Sequence, residues 1–197
     1  MIIDFSTHLV PASIAKLGIK FQQISGLWDI EERLRLMKKY KVDKQVVTIT
    51  ASIFKGATGK KEVDLCKMAN NELAKIQDKY DGRFVALASV PMTAPDDAID
   101  EIQRAHNDLG MPGVELYSNA KGKSLDSAEF FKLYEQLVKL DMPIFLHPTD
   151  WNWESYGLLN EFRLKNRIGW PFDTAQAMTR IVYGGILDKF PAERKMS

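Results

Sequence analysis

Ile2-Ile3-Asp4-Phe5-Ser6-Thr7-His8-Leu9-Val10-Pro11 is the stretch on which the reading of the whole chain turns. The run from Ile2 to Phe5 has the composition of a short buried strand, and the residues after Phe5 select between two α/β architectures. A doubly wound sheet wants a glycine-rich turn here, yet the strand runs into Ser-Thr-His-Leu-Val-Pro and no G-x-G-x-x-G occurs anywhere in the sequence. A barrel of βα units carries its chemistry at the carboxyl ends of its strands, which is where His8 falls.

Four further runs read as strands: QVVTIT (45–50), FVALASV (84–90), GVELY (113–117) and PIFLH (143–147). They are mostly continuous apolar runs, as strands of a parallel sheet covered on both faces should be. Between them, Ile30, Leu34 and Met37 fall on one helical face, and Phe130, Leu133, Leu137 and Leu140 on another. Thr93-Ala94-Pro95-Asp96 combines a capping hydroxyl, an early proline and an acidic first turn, and Asp126 with Glu129 three residues on predicts a capping box. Gly82, Gly110 and Asp141 mark the returns. Strand starts about 30 to 43 residues apart suit right-handed βα crossovers. The fold expected is α/β, a TIM-barrel-like (β/α) repeat forming one domain over residues 1–197, with about five parallel strands and a long final helix from Pro171 to Phe190. A closed eight-strand barrel typically takes about 250 residues, so the expected barrel is incomplete.

The 197 residues are 45% apolar and 27% charged, enough for a sizeable core and unlike a disordered chain. Basic and acidic residues, 27 and 26, are mixed along the chain, which leaves no electrostatic footprint for nucleic acid or an anionic membrane. No apolar stretch reaches the roughly 18 residues of a span, and the amino terminus lacks a leader pattern. The single cysteine, Cys66, rules out an internal disulfide framework and suits a packed position on the helix expected over 62–79. A cytoplasmic location is the expectation.

Four stretches together carry a family resemblance: MIIDFSTHLVP (1–11), GKSLDSAEFFKLYEQL (122–137), MPIFLHPTDW (142–151) and GWPFDTAQAMTRIVYGGILDKFP (169–191). The chain resembles the metal-dependent amidohydrolase superfamily, in the branch of aminocarboxymuconate semialdehyde decarboxylase and γ-resorcylate decarboxylase. That family places D-x-H-x-H or D-x-E-x-H on its first strand, a histidine ligand on strand five, a histidine on strand six and an aspartate on strand eight. The resemblance implies that His8 and His147 are metal ligands, and that the chain stops before strand six, since Ala192 to Ser197 follow Pro191. Zinc is the cofactor expected first, with manganese second. Side chains two apart on a regular strand end face the same way, so positions 6 and 8 could share an ion. Ser6 occupies the usual first-ligand position with a neutral hydroxyl, a poorer donor than His or Glu. The plainer alternative is that His8 and His147 simply close their strands.

The segment after His147, TDWNWESYGLLNEFRLKNRIGW (149–170), is long for a loop, and such loops at strand carboxyl ends carry binding function. Trp151, Trp153 and Tyr156 could cover an aromatic or unsaturated acid, and Arg163 or Arg167 could fork its carboxylate; anchoring a loop or a subunit interface is the alternative. Phe54, Lys55, Tyr117 and Asn119 are rim candidates by position, and His106 is expected on a solvated helix face. Glu115 is anomalous, a carboxylate in mid-strand that must face an interior or a partner.

The resemblance implies a metal-dependent decarboxylase or hydrolase of an aromatic or unsaturated carboxylic acid, impaired or inactive in this short chain for want of the strand-six histidine and strand-eight aspartate. The alternative is a non-catalytic protein whose open sheet edge exposes apolar residues such as Val47, Leu87 and Phe145 or their neighbours and drives homo-oligomerisation.

Overall fold

A computed structural model describes residues 1–17, 27–149, 159 and 161–191. The chain divides into two compact units, Met1–Val114 and Glu115–Ser197.

In the first unit β1 (Ile3–His8), β2 (Lys44–Thr48) and β3 (Phe84–Ala86) form a parallel sheet in that order. α1 (Ala12–Ala15) is a single turn, and α2 (Ile30–Tyr40), α3 (Lys60–Lys79) and α4 (Pro95–Asn107) alternate with the strands as expected of a (β/α) repeat. α2 begins where the Asp29 carboxylate accepts the Glu32 N–H at 2.9 Å, and it ends at Lys41 in the left-handed region, φ 58°. Met37 is buried as its spacing predicts, whereas Ile30 and Leu34 are half-buried and Arg33 lies inside.

The run 84–90 is two strands rather than one. Leu87 N–H still donates to Val47 O at 3.0 Å, but at β4 (Ala88–Ser89) the backbone turns to a new neighbour, Ala88 N–H donating to Gly113 O at 2.9 Å. α4 starts at Pro95 with Asp96 and Asp97 in its first turn, yet Thr93 does not cap it. The Thr93 hydroxyl instead donates to the buried Glu62 carboxylate and accepts the Gly59 N–H at 2.9 Å, tying the loop to the start of α3. Behind the sheet, Asn70 donates to Ser89 O at 3.0 Å and to the fully buried Glu101 at 2.7 Å, and accepts the Ser89 N–H at 2.8 Å.

The second unit contains β5 (Val114–Tyr117), which begins at the unit boundary, the hairpin of β6 (Asn119–Ala120) and β7 (Lys123–Ser124), α5 (Phe131–Lys139), β8 (Ile144–His147), α6 (Trp170–Tyr183) and α7 (Ile186–Lys189). The capping box expected at Asp126 is absent. A short 3₁₀ turn, Ala128–Phe130, precedes α5, while Asp126 receives Arg180 Nη2 at 2.8 Å and Glu129 pairs with Lys123 at 2.7 Å. The expected final helix is broken at Gly184 and Gly185, the latter at φ 70°, so α6 and α7 are separate. Phe190 packs its ring on Tyr134 and Phe131, centroids 5.7 and 5.5 Å apart, which seats α7 on α5.

Gly82, Gly110 and Asp141 all take positive φ, as turn punctuation requires. Val47 and Leu87 prove buried, Val47 on the central strand β2 between β1 and β3, and Phe145 is half-buried. The large apolar strand residues left exposed, among the described residues, are Ile3 and Phe5 on β1 and Ile144 on β8. No helix of the described residues is long and apolar enough to cross a membrane.

Candidate functional site

His8 closes β1, half-buried, with Nδ1 2.9 Å from Thr48 Oγ1. Its main-chain carbonyl accepts from Arg33 Nη2, and the next residue, Leu9, donates its N–H to Thr48 O at 2.8 Å. Ser6 departs from a regular strand. Pairing with β2 shifts between Asp4 and Thr7, and Ser6 sits in the bulge, exposed, at φ 70°. The regular two-residue relation expected between positions 6 and 8 is therefore interrupted. Phe54 lies buried in a 3₁₀ turn, Ala51–Phe54, and Lys55 beside it is exposed. Two open hollows of this unit, about 670 and 460 Å³, lie at the amino ends of β2 and β3 and contain no histidine.

In the second unit β5 and β8 run side by side, Ser118 N–H donating to His147 O at 2.9 Å. This brings together Glu115, Tyr117 and His147. Glu115 is 1% exposed, and its Oε2 accepts from the Tyr117 hydroxyl at 3.2 Å. The Tyr117 and Phe145 rings both meet the His147 imidazole edge-on, at 6.0 and 6.1 Å. His147 Nδ1 lies 2.7 Å from Pro148 O. A carbonyl can only accept, so Nδ1 carries the proton and Nε2 keeps the lone pair. Burial pushes the His147 pKa down, partly offset by that carbonyl and by the Asp173 charge, which keeps the ring neutral at pH 7.

Asp173, in the first turn of α6, anchors the chain just beyond His147. Its buried carboxylate accepts from the Ser118 hydroxyl and from Thr149 N–H, the latter at 3.0 Å. Arg163 (φ 56°) and Arg167 are exposed, and the expected loop is already helical by then, a π-helical segment over Lys165–Gly169 running into α6. Trp151, Trp153 and Tyr156 lie outside the described residues. His106 is half-buried on α4, and burial, with the charges of Glu62 and Glu101, raises the Cys66 thiol pKa well above its usual value.

Glu115 belongs with the candidate ligands although no motif marked it; its mid-strand carboxylate was the signal. A neutral imidazole presenting Nε2 beside a buried carboxylate is a donor chemistry that fits a divalent cation. Residues 3–194 match the amidohydrolase family.

The chain belongs to that family. It is 31% identical over 179 residues to a 2-amino-3-carboxymuconate-6-semialdehyde decarboxylase of Dictyostelium discoideum, covering 88% of this chain and 48% of that one. It is 27% identical to a γ-resorcylate decarboxylase of Rhizobium, covering 84% and 54%. A crystal structure of dihydroxybenzoic acid decarboxylase from Polaromonas, with bound manganese and the inhibitor 2-nitroresorcinol, superposes with a TM-score of 0.83 at 23% identity over 98% of this chain and 64% of that one. This amidohydrolase spans about half the length of the curated relatives it matches.

Proposed function

We propose that this amidohydrolase is a metal-dependent decarboxylase of an aromatic or unsaturated carboxylic acid, in which His8, Glu115 and His147 act as one ligand set for a divalent ion. The observation that carries the reading is His147, locked by Pro148 O into the tautomer that presents Nε2 and held beside the buried Glu115 through Tyr117. The names of the relatives, decarboxylases of muconate-type and aromatic acids, support the reaction class. Two imidazoles and a carboxylate suit zinc, and also manganese, the ion in the Polaromonas structure. A bound ion supplies Lewis-acid polarisation, or a bound water with pKa lowered towards about 7.

The chain's own residues then have separate tasks. Pro148 O holds the Nδ1 proton of His147, and the Tyr117 hydroxyl holds one oxygen of Glu115. Arg163, exposed ahead of the π-helical segment, is assigned to the substrate carboxylate, and Trp151, Trp153, Tyr156 and Phe54 are assigned as contacts for its unsaturated body. His106, the third histidine of the sequence, lies on α4 and is assigned no part in proton transfer.

Elemental analysis of the purified protein with His8→Ala, Glu115→Gln and His147→Ala tests the ligand set. About one equivalent of zinc or manganese, lost in each variant, supports it; four metal-free proteins overturn it. Self-association is the second reading, favoured by Ile3 (47% exposed) and Phe5 (57%) on β1, which among the described residues has a strand neighbour on one side only. Light scattering of the parent against Phe5→Lys decides it: a dimer that dissociates in the variant supports this reading, and a monomeric parent removes it.

A further inference from the structure

Arg33 is a buried cation that ties two separate points of the molecule together. Its guanidinium, 8% exposed, donates from Nη1 to Gln45 Oε1 at 3.0 Å and from Nη2 to the main-chain carbonyl of His8. Gln45 extends the link, its Nε2 donating to Asp4 Oδ2 at 2.9 Å. The chain Asp4–Gln45–Arg33–His8 thus begins and ends on β1, on either side of the bulge that holds Ser6 at φ 70°. A non-glycine residue in that region is strained and persists only where its surroundings over-determine it. The two attachments supply that constraint: one fixes the strand before the bulge, the other fixes the carbonyl of the residue that carries the imidazole. Beyond the bulge the His8 ring meets Thr48 and Leu9 returns to the β2 ladder, so any relaxation of the bulge is expressed at His8.

We infer that Arg33 is a positioning residue for His8, holding the Ser6 bulge in the form that aims the imidazole. The inference rests on the proposed role of His8 as a ligand, and it assigns a function to a helix residue outside the ligand set. Lysine at 33 keeps the charge but cannot bridge two acceptors in a fixed plane, so Arg33→Lys releases one attachment. Glycine at position 6 relieves the left-handed strain and makes the bulge less dependent on Arg33.

The test is a cobalt(II) titration, read by the visible d–d spectrum, of the parent, Arg33→Lys, Ser6→Gly and the double variant, with urea midpoints and the NMR contact between the His8 ring and the Thr48 methyl measured alongside. Arg33→Lys is expected to weaken cobalt binding roughly tenfold, a loss of about 1.4 kcal/mol, and to weaken the His8–Thr48 contact. The double variant is expected to recover part of both. Cobalt affinity and the His8–Thr48 contact unchanged in Arg33→Lys, with only the urea midpoint lowered, overturns the inference. A parent that binds no cobalt removes the ligand set instead, and the NMR contact then decides the positioning role alone: weakened in Arg33→Lys and restored by Ser6→Gly upholds it, unchanged refutes it. Should Arg33→Lys fail to fold, Gln45→Leu breaks the same chain one link away and is judged by the same readouts.

Discussion

The ring of Tyr117 stands edge-on to that of His147, with centroids 6.0 Å apart and planes at 89°. The same side chain donates its hydroxyl to Glu115, so one residue holds two candidate ligands by two different forces. Tyr117→Phe removes only the hydrogen bond and is expected to cost about 1 kcal/mol. Tyr117→Ala also removes the ring contact, worth about 0.5–1.5 kcal/mol beyond its burial, and should lower metal content as well as stability. Urea unfolding with elemental analysis separates the two, and equal metal loss in both variants would show that the hydroxyl alone matters.

Asp173 links α6 to the carboxyl ends of β5 and β8, the strands that carry Glu115 and His147, accepting from Ser118 on one side and Thr149 N–H on the other. Hydrogen bonds to a buried charged acceptor are worth about 1.5–3 kcal/mol net, so Asp173→Asn is expected to cost that much in urea unfolding. Ser118→Ala should cost about 1 kcal/mol, and the double variant less than the sum, because the two residues share one contact. Strict additivity would separate them.

β2, β3 and β5 were legible because their apolar runs are dictated by burial, a signal local to the run itself, whereas β1 and β8 carry the same apolar composition with Ile3, Phe5 and Ile144 exposed. What escaped was non-local. FVALASV reads as one strand, and only the partner switch between Leu87 and Ala88 splits it. Thr93 and Asp126 carry good capping chemistry, but Glu62 and Arg180, distant in sequence, offer stronger charged partners, so neither caps a helix. His147 and His8 could be placed from their strand ends, whereas Glu115 showed only as an anomaly until β5 and β8 came together. The bulge at Ser6 has no sequence mark, since the residue there is not glycine.

Arg180 also makes stability depend on pH. Its guanidinium, with the Ser124 hydroxyl, holds the Asp126 pKa below the usual 3.8. The unfolded chain binds that proton more readily, so the contribution is fully present above about pH 4 and is lost as pH falls through the depressed value. Both side chains are partly exposed, so the effect should be modest and should shrink in high salt. Thermal unfolding of the parent between pH 5 and about pH 2 should show a loss that Asp126→Asn lacks, and parallel curves would remove the pair from the account.

Gly184 shows how little room that clamp leaves. A Cβ at this position would lie 2.7 Å from Arg180 O and 2.9 Å from Asp126 Cβ, although its φ of −73° is open to any residue. The requirement is space, so Gly184→Ala must push α6 away from Asp126 and is expected to cost about 1–3 kcal/mol, as overpacking does. Gly185 is the converse, with φ 70° and nothing within 4 Å of an added Cβ. Gly185→Ala should cost about 1–2 kcal/mol through backbone strain alone. Asp126→Ala distinguishes the two origins: removing most of the opposing side chain should lessen the penalty at 184 and leave that at 185 unchanged. A penalty at 184 that persists in full in that background would place its source in the helix carbonyl at Arg180 instead.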